Sequence, residues 1–212
     1  MLSILILIIL FIGAYSGYKN GVILQLIKTI GYAISLILAF DYYKVVSEYF
    51  DLLIPYPSPF IPEANPYQYY NESLIFSMDE SYYYLVSFFA IFVIGWLITR
   101  FITKVLSYSL ARIEVPEPLN GVGGLVLGFV VNYLGVFYLL FILTTIPLEF
   151  VQARLGNSFV ADTMITKTPM VSKKTYKRFV VDVHEEVEQT NPVMDPEHPE
   201  GENSEEESED NE

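Results

Sequence analysis

The chain has 212 residues, of which 52% are hydrophobic and 16% aromatic. Its formal net charge of −13 is local: residues 182–212 hold 14 of the 25 acidic groups and none of the 12 basic ones, so the body is nearly neutral, offers no basic surface for nucleic acid, and carries an acidic tail repelled by anionic headgroups. The absence of cysteine excludes disulfides, thiolate catalysis and Cys-ligated metals.

Residues 2–18 form an apolar run that is short for a span. No Lys or Arg precedes it and a second apolar run follows at once, so a retained first helix is expected rather than a cleaved signal segment, although Ala14-Tyr15-Ser16 resembles a cleavage site. Gly13, Gly17 and Gly21 make two overlapping G-x-x-x-G repeats, a pattern that allows close backbone approach between membrane helices. Lys19-Asn20-Gly21 then reads as a minimal turn leading into a second span over residues 22–40, antiparallel to the first. Lys28 lies inside that second run, about 10 Å of helix axis past Gly21. Its side chain either snorkels to the headgroups or faces the bundle and meets an ion or anionic group. Gly31 and Ser35 share its side of the helix.

Residues 41–80 read as a long polar loop with five prolines and one basic residue, Lys44, against seven acids. Tyr67, Tyr69, Tyr70, Tyr82, Tyr83 and Tyr84 precede the next span and fit an interfacial aromatic belt. Residues 85–102 form the third span, ending in Trp96 and Arg100, and residues 104–111 could continue it as a surface helix. Pro116 and Pro118 break the chain before Asn120, which is expected to N-cap the fourth helix.

The fourth span, residues 121–143, is 23 residues without Lys, Arg, Asp, Glu, Pro or His. At about 1.5 Å per residue it reaches across a hydrocarbon core of about 30 Å. Asn120, Gly121, Gly124, Gly128, Asn132 and Gly135 gather on one side of it, and such a face packs against protein while the others meet lipid. Beyond Pro147, residues 148–155 and 159–165 suit short amphipathic helices. From residue 182 the composition predicts disorder. Lys19, Lys28, Arg100, Lys104 and Arg112 flank the first and third loops, which places both termini outside; Arg154, Lys167, Lys173, Lys174, Lys177 and Arg178 after the fourth span oppose this, but only Arg154 is close enough to that span to count fully.

The expected fold is thus an all-α membrane protein. Four transmembrane helices and short amphipathic segments occupy residues 1–180, and residues 181–212 form a disordered acidic tail. Its helix-packing positions are Gly13, Gly17, Gly21, Gly31, Gly124, Gly128 and Gly135. A candidate polar path comprises Lys28, Ser35, Asn120 and Asn132. No catalytic, cofactor or metal site is expected, because the spans contain no Asp, Glu or His and both histidines, His184 and His198, lie in the tail.

Three stretches resemble the bacterial CvpA (colicin V production protein) family of small inner-membrane proteins. SGYKNGVILQLIKTIGYAISLILAF, within residues 13–40, is similar to the family's first hairpin. PLNGVGGLVLGFVVNYL at 118–134 is similar to its glycine-repeat helix, and NSFVADTMITKTPMVS at 157–172 to its short segment after the last span. Members often carry arginine where this chain has Gly121, and again where it has Val131-Asn132. The resemblance implies a non-enzymatic protein linked to production or export of a peptide toxin and to envelope homeostasis. The expected partners are the bilayer, an export or envelope protein and, because the glycine faces of the first and fourth helices exceed what one four-helix unit needs, further copies of the chain. A small-solute channel and a membrane-anchored interaction scaffold are the alternatives.

Overall fold

The computed structural model describes residues 1–57, 65–110 and 115–190. Every regular element among them is helical: α1 (Leu2–Leu53), a 3-10 turn (Glu72–Ser77), α2 (Met78–Leu110), α3 (Leu119–Thr144), α4 (Glu149–Gly156), α5 (Phe159–Lys167), α6 (Val171–Tyr176), a π-helical turn (Lys177–Val181) and α7 (Asp182–Thr190). Three stretches are helical, long and apolar enough to cross a membrane: Leu2–Leu53, Glu72–Ser107 and Leu119–Thr144. The outward faces keep large apolar side chains exposed, among them Phe11, Ile37, Ile98, Phe101 and Val126. That surface suits hydrocarbon, where only internally hydrogen-bonded backbone is tolerated. The chain is an all-α membrane protein.

The first helix is two limbs. Gly21 breaks it with φ 73° and ψ 165°, a left-handed conformation that glycine adopts without a Cβ penalty. The limbs fold back on each other. Ser3 Oγ lies 2.8 Å from Ser158 Oγ, while Arg178 donates to the Phe40 carbonyl at 3.3 Å. A straight helix would hold residues 3 and 40 about 55 Å apart. Their partners belong instead to the linked short helices at one end of the bundle. The expected turn over Lys19-Asn20-Gly21 is therefore tighter than its three residues: Lys19 and Asn20 stay helical and Gly21 alone departs.

The first limb packs antiparallel against α3. A Cβ on Gly17 would come within 2.2 Å of the Gly124 carbonyl oxygen, and one on Gly128 within 2.8 Å of Gly17 Cα. A Cβ on Gly13 would strike the Asn132 side chain. The second limb packs against α2, where Gly31 meets Thr99 and Gly95 meets Ser35. Gly95 was not anticipated as a packing position. Gly135 was, yet nothing lies within 4 Å of where its Cβ would stand, because it is past the level at which the first limb leaves room for only hydrogen.

Four further expectations are corrected. Residues 41–53 continue α1 rather than opening a polar loop, because no proline occurs before Pro55 and Tyr43 and Ser47, four residues apart, bury one face. Residues 78–84 already belong to α2, and Tyr83 is buried. Asn120 lies inside α3, whose N-cap is Pro118. Residues 182–190 form α7, with Val183 buried, so order extends past the expected boundary. The remainder of the expected tail, together with His198, Arg112, Pro59 and Pro62, lies outside the described residues.

The end of the bundle opposite Gly21 is closed by the short helices. α4 and α5 fall where the amphipathic pattern puts them, and Ser158 caps α5 by accepting from Ala161 N–H. The π-helical turn drives Phe179 into the interior. There its ring centroid lies 5.3 Å from that of Phe88 and 5.1 Å from that of Tyr43. Phe88, wholly buried, also meets Phe40 and Tyr138, each at 4.7 Å. Such offset and tilted pairs stabilise beyond area burial.

The glycine contacts generate a prediction. Gly17→Ala puts a methyl group against backbone that cannot rotate away, and should destabilise the bundle by about 1–3 kcal/mol. Gly135→Ala opens onto free space and should be neutral or stabilising, by up to about 1 kcal/mol of helix propensity. Thermal unfolding of the two purified variants in detergent checks this, and equal losses would contradict it.

Candidate functional site

One polar cavity opens among the apolar helices at the Gly21 end. Its volume is about 280 Å³. The first limb of α1 lines it with Ser16 and Asn20, and the second limb with Gln25, Lys28 and Tyr32. α2 adds Trp96 and Arg100, and α3 adds Asn132. Four rods thus contribute to one cleft, which exists because Gly21 folds the first two beside each other.

Each side chain is held by a local device. Asn20 Nδ2 donates to Gln25 Oε1 at 3.4 Å across the break, and to Ser16 Oγ at 3.5 Å. Asn132 Nδ2 donates to the Gly128 carbonyl at 2.8 Å, and its side chain occupies the notch left by Gly13. The Arg100 guanidinium lies 5.2 Å from the Trp96 ring centroid, one turn earlier on α2, in a cation–π contact. Lys28 is half-buried and near enough to Arg100 for their charges to repel.

Of the expected polar path, the structure brings Lys28 and Asn132 together in this cleft. Ser35 is elsewhere: it is buried against Gly95, and its hydroxyl donates to the Gly31 carbonyl at 2.8 Å. Asn120 has a structural task. Its Oδ1 accepts the Val22 N–H at 2.9 Å, the first amide after the break. It therefore caps the second limb of α1 from a neighbouring helix, satisfying a donor that a helix start leaves orphaned. Sequence reasoning missed the roles of Asn20, Gln25, Trp96 and Arg100. The Trp-x-x-x-Arg spacing on α2 was the available signal, since it stacks the two side chains on one face.

The opposite end holds a second polar assembly, built from tyrosines expected to lie in an interfacial belt. Tyr67 and Tyr70 are instead buried. Tyr56 Oη donates to the Thr145 carbonyl at 2.8 Å and pairs with Tyr67 Oη at 2.6 Å. Tyr70 Oη bonds Thr144 Oγ1. Gln152 Nε2 donates to the carbonyls of Thr144 and Ile146, at 2.9 and 2.8 Å. These groups satisfy the carbonyls that α3 leaves open where Pro147 stops it. Burial pushes the Tyr56, Tyr67 and Tyr70 phenols above their ordinary value. Tyr69 is pushed up to about 12, by burial first and then by the Asp162 carboxylate beside it.

A Ser-His-Glu string also occurs here, although His184 was expected to have no such neighbour. His184 Nδ1 is 3.2 Å from Ser77 Oγ, and Nε2 is 2.9 Å from Glu188 Oε1. The Ser77 hydroxyl is turned away from the ring and donates to the Leu74 carbonyl at 3.1 Å. Ser77 is wholly buried as well. The string fastens α7 to the 3-10 turn.

Two stability predictions follow from these contacts. Asn120→Ala removes the cap on Val22 and should cost about 1 kcal/mol, read as a lower unfolding midpoint in detergent. Tyr69 has its folded phenol raised to about 12, against about 10 when unfolded. Its contribution to stability is therefore full below pH 10 and lost as pH rises through about 12. Unfolding midpoints measured across that window should fall more steeply for the unaltered chain than for Tyr69→Phe.

Known proteins match this arrangement at the level of sequence. The family model for the colicin V production protein matches residues 2–169. "Uncharacterized transmembrane protein YshB" of Bacillus subtilis (strain 168) is 33% identical over 175 residues, covering 81% of this chain and 93% of its own length. No solved structure matches the chain.

Proposed function

The chain belongs to the colicin V production protein family, and from that premise we propose that it supports production or export of a colicin V-like peptide and maintains the envelope, without catalysing a reaction itself. It does so as a multi-pass protein of the bacterial inner membrane with both termini outside. The observation that carries a non-catalytic role is the separation of its polar groups. In the Ser77–His184–Glu188 string the serine is wholly buried and its hydroxyl donates to the Leu74 carbonyl, turned away from His184. The open cleft, by contrast, holds cations and amides but no carboxylate, histidine or cysteine. Lys19, Lys28, Arg100 and Lys104 lie toward the Gly21 end, which supports placing that end in the cytoplasm.

A small-solute channel is the second reading, favoured by the cleft. It requires a route past the interior beyond Tyr32, which Ile6, Leu10, Phe92 and Phe137 fill. The glycine faces that suggested self-association are spent within one chain, between the first limb and α3.

Deletion of the gene in a peptide-secreting host should lower exported peptide activity and raise sensitivity to membrane-perturbing detergent. The unaltered chain should restore both, and so should a chain lacking residues 191–212. Gly17→Leu should restore neither. Normal secretion and detergent resistance in the deletion strain would refute the proposal. Failure of the shortened chain would move the working part from the bundle to the acidic tail, as the interaction-scaffold alternative requires.

A further inference from the structure

Among the described residues, the lining of the cleft at the Gly21 end holds two cations, Lys28 and Arg100, and no carboxylate. Residues 2–40, 85–110 and 119–144 contain no Asp or Glu. Among the described residues neither Lys28 nor Arg100 makes a salt bridge, although Lys44 and Lys177 do so at the other end. Lys28 is half-buried and Arg100 exposed, and two like charges brought together at the edge of an apolar bundle are costly unless something of opposite sign joins them. Arg100 has its planar face committed to Trp96, which leaves its edge of N–H donors available. Asn20, Gln25 and Asn132 put amide groups around the same volume.

We propose that this cleft is a binding site for a phosphate group, with Lys28 and Arg100 supplying the charge and the amide N–H groups of Gln25 and Asn132 ordering the oxygens. Three features select phosphate over a halide or a carboxylate. The cavity, at about 280 Å³, is far larger than one atomic ion needs. A guanidinium edge and an ammonium from different helices suit an acceptor with several oxygens. Lys28 also lies only about 10 Å of helix from the Gly21 turn, and Trp96 lines the cleft beside it, the kind of aromatic residue enriched at the headgroup layer. The phosphate can belong to a lipid headgroup or be a free ion. Neither source depends on the export role, so this site stands or falls separately from it.

Trp96 is the chain's single tryptophan and stacks on Arg100, so its fluorescence reports the cleft. The full chain in nanodiscs of a phosphate-free galactolipid is titrated with inorganic phosphate in one arm. In the other, phosphatidic acid replaces part of the galactolipid, with oleate at equal surface charge as the phosphate-free comparison. A saturable change with phosphatidic acid but not oleate identifies a headgroup site, and one with inorganic phosphate identifies a soluble ligand. Lys28→Met should weaken binding about tenfold, the loss of one charge-assisted contact. Arg100→Gln alters the reporter, so its binding is read by phosphorus NMR and should weaken at least as much. No saturable change in either arm overturns the proposal. So does a response to oleate equal to that for phosphatidic acid, or unaltered affinity in Lys28→Met.

Discussion

The bundle depends on two backbones touching where side chains are missing. Gly17 of the first limb meets Gly124 and Gly128 of α3 at distances that leave no room for a Cβ. In lipid the hydrophobic effect does not draw apolar helices together, so contact must come from close packing and hydrogen bonds. A carbonyl pressed against a glycine methylene provides a large dispersion surface at no cost in side-chain entropy. This seam sets the depth and register of α3 beside the first limb. That register brings Asn120 to the Val22 amide and Asn132 into the Gly13 notch. The polar cleft lies where this seam and the break at Gly21 bring both limbs of α1 beside α2 and α3.

The two ends of the bundle solve opposite problems. At the Gly21 end a helix start is capped by an amide lent from another helix, and the space between the rods stays polar and open. At the other end the carbonyls of α3 are covered by Gln152 and Tyr56, and aromatic rings fill the interior. Tyrosine suits that second end because its ring packs against apolar surface while its hydroxyl reaches a carbonyl. Two cations therefore line the interior where it is accessible, and rings fill it where it is sealed.

Much of this was legible in the sequence. The apolar runs were long, and three glycines at i+4 spacing in the first limb named a seam that the structure contains. The amphipathic pattern after Pro147 located α4 and α5. The errors share one cause: local composition was allowed to outvote tertiary contact. Asp41, Glu48 and Asp51 made residues 41–53 look like loop, yet Tyr43 and Ser47 bury the other face of a helix. The tyrosines around 67–70 looked like belt residues because nothing local shows that the Tyr56 and Thr144 hydroxyls await Tyr67 and Tyr70. Asn120 looked like a cap for its own helix, and it caps a different one. Arg100 was read with the interface because its partner in the cleft, Lys28, is 72 positions away in sequence.

Phe179 completes the interior from a point well after the last long helix. A ribosome delivers the rods in order, and α3 has been made before the ring that wedges against Phe88 emerges. The nascent protein must therefore spend an interval embedded in the bilayer with one mouth unplugged. During that interval Phe40, Phe88 and Tyr138 are open to lipid tails or to a chaperone, and maturation ends when the late-arriving segment docks.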